Sequence, residues 1–149
     1  MNLEDAIAEA AVERIYILIG ASDLGGPAHF SAFFDNWDTM LGRIREKSPN
    51  VEIVIISIIP RYGTQTERTG PLFRQYNTDV IDTNEKLREY AGDNGCLYID
   101  LHAYIEDHSG CMAAIYNLDG FHLNDTGYRT WMKVMRYYAQ YELEGGTLS

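Results

Sequence analysis

Basic residues are scarce in this sequence: 12 Lys and Arg stand against 22 Asp and Glu, a formal charge of −10. The shortage excludes a nucleic-acid backbone as partner, because counterion release needs clustered Lys and Arg. Acidic membrane surfaces are disfavoured for the same reason. Cysteine is scarcer still. Cys96 and Cys111 lack the spacing of a disulfide or zinc framework, so both are expected as reduced thiols that act as small hydrophobes. Long apolar runs are missing too. The longest, Val51 to Ile59, carries Glu52 and is strand-sized, far short of the ~18 residues that cross a bilayer. The opening Met1-Asn2-Leu3-Glu4-Asp5 has acid where a secretory signal carries base, so a cytoplasmic location is expected.

What is present describes one domain over 1–149, with 46% hydrophobic residues. A chain of this size buries roughly two thirds of its unfolded surface and needs no staples. Asn2 can cap a helix from Leu3 to Ala11 with Leu3, Ala6, Ile7, Ala10 and Ala11 on one face. Ile15 to Ile19, stopped by Gly20, reads as a strand buried on both faces, and it leaves through the loop Gly20 to Pro27. Phe33, Phe34, Trp37, Met40, Leu41 and Ile44 recur at helical intervals between Phe30 and Lys47. Val51 to Ile59 is the second strand, followed by a polar stretch from Arg61 to Gly70 that is too long for a simple turn and is expected to flank a site. A helix over Phe73–Asp93 presents Tyr76, Val80, Ile81, Leu87 and Tyr90, and Cys96 to Asp100 is the third strand. Asp125 caps a last helix with Tyr128, Trp131, Met132, Met135 and Tyr138 on its apolar face, and 144–149 forms a frayed tail.

Strands alternating with helices on short connections predict an α/β three-layer sandwich with a parallel sheet and right-handed crossovers. Ligands in such sheets sit beyond the carboxyl ends of the strands. The loop carrying Asp119 and His122 returns to that same edge if the last helix packs antiparallel to the strands. A carboxylate three residues before an imidazole can orient it as a general base; the same spacing also suits a loop Asp and a capping His beside a helix start.

The segments Ile15 to Asp23, Ser48 to Ile55, Tyr98 to Leu101 and Asp119-Gly120-Phe121-His122-Leu123-Asn124-Asp125-Thr126-Gly127-Tyr128 resemble the SGNH (GDSL-type) esterases and acylhydrolases, from about Arg14 to Tyr138. The resemblance implies a flavodoxin-like sheet and acyl transfer from a small-molecule ester, including acylated carbohydrate or lipid, to water. It assigns His122 as base and Asp119 as its orienter, and it lays the family's Gly-x-Asn-Asp motif on Gly20, Ser22 and Asp23 as the oxyanion and substrate-binding turn. Two departures stand out. Ser22 replaces the motif Asn, and the Gly-Asp-Ser nucleophile block and the oxyanion Gly after it have no counterpart, so the sheet lacks its first strands. Losing an oxyanion donor costs 10²- to 10³-fold and losing the nucleophile about 10⁶-fold, so this chain alone is expected to hydrolyse weakly or not at all.

Ser22 also stands where a relocated nucleophile would, although the helix after it matches the helix that comes after the family's third motif. Ser57, in a strand, and Ser109, in a loop, read as structural. His102 and His108 lie near carboxylates without ligand spacing, so neither metal nor cofactor is expected. The tyrosines and tryptophans default to the core. Two readings from other classes remain: a non-catalytic remnant that binds an acyl or carbohydrate ligand or serves in association, and a phosphate binder built on the loop Gly20 to Gly26, which has no P-loop lysine. With its first strands missing, the Arg14–Ile19 strand becomes a sheet edge. A second copy in a homodimer or the helix Leu3–Ala11 is expected to cover it.

Overall fold

Three short strands carry the sheet: β1 (Arg14–Ile17), β2 (Glu52–Ile56) and β3 (Leu97–Ile99). All pair in parallel in the order β1-β2-β3, with Ile15 opposite Ile53, Ile17 opposite Ile55, Val54 opposite Leu97 and Ile56 opposite Ile99. This computed structural model describes residues 2–24 and 30–143. Gly25, Gly26 and Pro27 of the first strand exit, and the 144–149 tail, lie outside the described residues.

Among the described residues five α-helices surround the sheet: α1 (Leu3–Glu9), α2 (Phe30–Lys47), α3 (Pro71–Asp93), α4 (His102–Ile105) and α5 (Asp125–Leu143). Successive side chains of a strand point to opposite faces, and β2 divides its apolar residues accordingly. Ile53 and Ile55 join Phe33, Trp37, Leu41, Ile44, Val80 and Leu87 in a core under α2 and α3. Val54 and Ile56 join Ile99, Leu101, Ile105, Met112, Leu123 and Val134 in a second core under α4 and α5. The result is the expected α/β sandwich of helices on both faces of a parallel sheet.

The elements are shorter than their apolar patterns. β2 ends at Ile56, where its partner β3 runs out at Ile99; Ser57, Ile58 and Pro60 stay buried beyond the ladder. β1 ends at Ile17 and is not buried on both faces: Tyr16 is 43% and Ile19 46% exposed. As an edge strand it has β2 on one side and no described strand on the other. The first helix ends at Glu9 instead of Ala11, and Ala11 takes the left-handed φ of 48°. It packs against α2, with Asp5 and Lys47 ion-paired. α3 starts at Pro71, earlier than Phe73, because proline suits the first turn of a helix. Its inner face buries Tyr76, Val80 and Leu87 together with Asn77, Thr83 and Asn84, while Ile81 is exposed. In α5, Val134 is buried and Trp131, Met135 and Tyr138 pack on the core; Tyr128 and Met132 face outward, 49% and 55% exposed. Both cysteines are free and buried.

Candidate active site

The carboxyl end of β1 turns sharply at Gly20. Its φ of 112° is a conformation that side-chain-bearing residues rarely adopt, and a Cβ there would lie 2.5 Å from Cε2 of Phe33. A 3₁₀ turn follows over Ala21–Asp23, closed by the Asp23 N–H on the Gly20 carbonyl at 3.0 Å. The Tyr76 hydroxyl donates to the Ala21 carbonyl at 3.1 Å and ties the turn to α3. Ser22 and Asp23 are both exposed; Ser22 lines a cleft, and Asp23 is not among the residues that line it.

The exit of β2 is held by two amide side chains of α3. Asn84 brackets Ile58, accepting from its N–H and donating to its carbonyl, both at 2.8 Å. Asn77 accepts from the Arg61 N–H at 2.9 Å, and the Arg61 carbonyl accepts from the Met112 N–H at 3.0 Å. Buried backbone polar groups require partners, so the chain beyond the ladder has one fixed course. That course sends the Arg61 side chain between Phe73, Tyr76 and Phe121, its guanidinium carbon 3.7 Å from the Phe121 ring centroid.

Asp119 and His122 sit on a loop that hydrogen-bonds largely to itself. Leu118 N–H bonds the His122 carbonyl at 3.0 Å, Asn124 N–H bonds the Tyr116 carbonyl at 2.8 Å, and Gly120 N–H bonds the Asn117 side chain at 2.6 Å. One outside tie, from Tyr62 N–H to the Gly120 carbonyl at 3.0 Å, fastens it to the β2 exit. Within the loop His122 Nδ1 lies 2.7 Å from Asp119 Oδ2, and Asp119 Oδ1 accepts from the N–H groups of His122 and Phe121 at 2.8 and 3.0 Å. The His122 N–H, the imidazole and the Phe121 N–H, in that order, bring the Asp119 carboxyl down to about 2. An ionised carboxylate at Nδ1 selects the tautomer with its proton on Nδ1, which leaves Nε2 free to accept one.

These segments meet around a cleft of about 410 Å³. The β1 exit contributes Leu18, Ala21 and Ser22; the β2 exit contributes Ile59, Pro60 and Arg61; Phe121, His122 and Leu123 come from the loop, and Tyr128 and Trp131 from α5. Tyr128 and Trp131 stack, with centroids 5.9 Å apart and planes 18° apart. Of the predicted residues, Ser22 and His122 therefore share one cavity, with Asp119 behind the imidazole.

The remaining histidines and serines lie elsewhere. His102 is 8% exposed and lines a separate hollow of about 610 Å³ with Tyr98, Asp100 and Glu106. Burial lowers its pKa, and its Nε2 has no hydrogen-bond partner. Ser57 is buried and accepts from the His102 N–H at 2.7 Å. Ser109 bonds Asp107 and Arg68, and His108 is exposed. Among the described residues no cluster suits a metal ion.

The GDSL-like Lipase/Acylhydrolase family matches residues 2–130. The chain belongs to this family. No curated protein sequence matches it. Among solved structures, a Streptococcus pneumonia protein provisionally named a platelet activating factor is similar at TM-score 0.76 and 22% identity, over 91% of this chain and 67% of that one. A GDSL-like lipase from Bacteroides thetaiotaomicron is similar at TM-score 0.72 and 14% identity, over 92% of this chain and 66% of that one. An acetylxylan esterase from Geobacillus stearothermophilus, solved as serine-to-alanine and aspartate-to-alanine catalytic variants, gives TM-score 0.55 and 16% identity over 89% of this chain and 61% of that one. The chain thus spans about two thirds of the length of these GDSL-like folds, and at such identities the likeness concerns the fold.

Sequence reasoning misses four cleft residues of this family member. Periodicity assigns Tyr76, Tyr128 and Trp131 to the core; Tyr76 and Trp131 pack there and wall the cleft as well, while Tyr128 is exposed and only walls the cleft. Arg61 opens the polar stretch expected to flank a site, and it does line the cleft, but its own side chain is not singled out by the sequence.

Proposed function

We propose that this cleft binds an acyl ester and that Asp119 and His122 form the base of its hydrolysis. The observation that carries the reading is the 2.7 Å contact between His122 Nδ1 and Asp119 Oδ2 in an imidazole that lines a cavity. Nε2 takes a proton from a water molecule, the water oxygen bonds to the ester carbonyl carbon, and the tetrahedral intermediate collapses with cleavage of the carbon–oxygen bond to the alcohol. The proton on Nε2 then passes to the departing alcohol oxygen. Asp119 keeps the imidazole in orientation and stabilises its charged form.

Ser22 is the one serine that lines the cleft among the described residues. We assign its hydroxyl to the developing oxyanion, where family members carry a longer amide, and so expect weak turnover by this chain. The test is hydrolysis of p-nitrophenyl acetate by the chain beside His122→Ala and Ser22→Ala, with intact mass after fluorophosphonate labelling. Weak turnover that falls in both variants, without an adduct on Ser22, is the expected result. A single adduct on Ser22 would instead make it the nucleophile. Turnover unaffected by His122→Ala would overturn the reading.

The stacked Tyr128 and Trp131 favour a second reading, a module that holds an acylated carbohydrate without cleaving it. Stacked rings offer an apolar face of the kind that sugars pack upon. Saturable binding of acetylated xylo-oligosaccharide with no release of acetate would favour this reading over hydrolysis.

A further inference from the structure

Arg61 is a cation with no ion-pair partner in contact among the described residues. Three other arginines are ion-paired: Arg14 with Glu52, Arg68 with Asp107 and Arg88 with Asp100. Arg61 is half-buried and feels the charge of Glu67, yet among the described residues its guanidinium makes no salt bridge and no hydrogen bond, and its Nε is buried with no partner. Burying an unpaired charge is unfavourable unless something offsets it. Here the faces of aromatic rings supply part of the offset. The guanidinium lies on Phe121 at 3.7 Å and beside Tyr76 and Phe73 at 5.2 and 5.9 Å.

Stacking occupies the flat face of a guanidinium and leaves its N–H groups, which point outward in the plane, available. A planar fork of donors suits the paired oxygens of a carboxylate or phosphate. The surroundings select the same ligand. The chain carries a net charge of −10, but the described lining of the cleft includes Arg61 and no Asp or Glu. A second hollow that shares Arg61 and Phe121 with the cleft is lined also by Glu67 and Asp119, so an anion is favoured in the cleft that His122 lines. Arg61 is also pre-set: its main-chain N–H and carbonyl are held by Asn77 and Met112, and its guanidinium is held against the rings. A donor fixed before binding loses little freedom on binding.

We infer that Arg61 forms an oxyanion-recognising subsite beside His122, and that the ester this cleft accepts bears a carboxylate or phosphate group. This deepens the acylhydrolase reading and rests on it for the word ester; the subsite itself can be measured without turnover.

The experiment is a titration of the ¹⁵N-labelled chain with glycerol 1-phosphate, with monomethyl succinate and, as an uncharged ester, with methyl acetate, followed through the amide signals of Phe121 and His122. Saturable shifts are expected with one or both anions, the stronger identifying phosphate or carboxylate, and none with methyl acetate at the same concentration. Arg61→Gln is expected to weaken anion binding tenfold or more, as for a lost charge-assisted hydrogen bond. Phe121→Leu, which removes the ring and keeps the charge, is expected to weaken it less. His122→Ala should leave it in place while abolishing hydrolysis. The wild-type titration decides the matter even if Arg61→Gln does not fold: no saturable shift with either anion overturns the subsite. Anion binding with no cleavage of any ester keeps the subsite and rejects hydrolysis. Hydrolysis of neutral esters without anion binding does the reverse.

Discussion

Asn84 holds both main-chain polar groups of Ile58, each at 2.8 Å, from a buried position on α3. The bracket stands in for the β-ladder that ends at Ile56 and aims the chain toward Pro60 and Arg61. Asn84→Leu leaves a buried N–H and a buried carbonyl unpaired. Unfolding in urea is expected to show a loss of about 2–4 kcal/mol, since each orphaned group costs about 1–3 kcal/mol. A loss below about 1 kcal/mol would mean that the strand exit does not depend on this side chain.

Gly20→Ala tests the turn that presents Ser22. It meets two obstacles, a φ of 112° and a Cβ position 2.5 Å from Cε2 of Phe33. Strain and overpacking together predict a stability loss of about 2–3 kcal/mol. Adding Phe33→Leu is expected to recover the steric share and not the backbone share, so the double variant should lie between the wild type and Gly20→Ala.

His102 makes stability depend on pH. Burial lowers its pKa, with Glu106 and Asp100 opposing weakly. In the unfolded chain the imidazole gains a proton near pH 6.5, while the folded chain resists it. Its neutral form therefore favours the fold fully above about pH 6.5, and this contribution declines as pH falls from there toward the lower folded value. Between about pH 7.5 and 5.5 the unfolding free energy of wild type should fall more steeply than that of His102→Leu. Parallel slopes would remove His102 as the source.

Asp119 stays ionised far into acid. Its carboxyl is held down to about 2, below the unfolded value of about 3.9. The order it gives the loop is complete above that unfolded value and is lost as pH falls through about 2. The amide shifts of Phe121 and His122 should show an inflection near pH 2 and none near pH 4. In any esterase assay Asp119→Asn is expected to lower turnover by about 10²- to 10⁴-fold, because the amide no longer selects the Nε2-basic tautomer. Equal turnover in Asp119→Asn and wild type would remove the pair from the chemistry.

The periodicity of the chain is enough to locate the long helices and the order of the strands, because a core on each face of a sheet forces period 2 onto β2 and helical spacing onto α2, α3 and α5. The ends of elements are not legible. Ile15 to Ile19 and Val51 to Ile59 look like longer strands because apolar residues remain useful after hydrogen bonding stops; Ile58 is buried with its polar groups on Asn84 instead of on a neighbouring strand. The Asp119–His122 pair is visible because its geometry is local, three residues apart. The stretch that Arg61 opens is legible as flanking a site, but the role of its side chain is not, because its surroundings come from three distant stretches, Phe73 and Tyr76 on α3, Met112 after α4, and Phe121 in the loop. Nothing in a linear pattern marks an arginine whose neighbours are rings drawn from distant stretches.

β1 donates and accepts along one side only among the described residues, while β2 is gripped from both. Half-gripped amides open more readily than fully gripped ones. Deuterium should therefore enter Ile15 and Ile17 well before it enters Val54 and Ile55, and the rim that loosens first is the one from which Gly20 and Ser22 depart. The imidazole side of the cleft, knotted by its own short-range bonds, would keep its shape through such an opening, so breathing of this sheet changes what faces His122 and leaves His122 itself where it is.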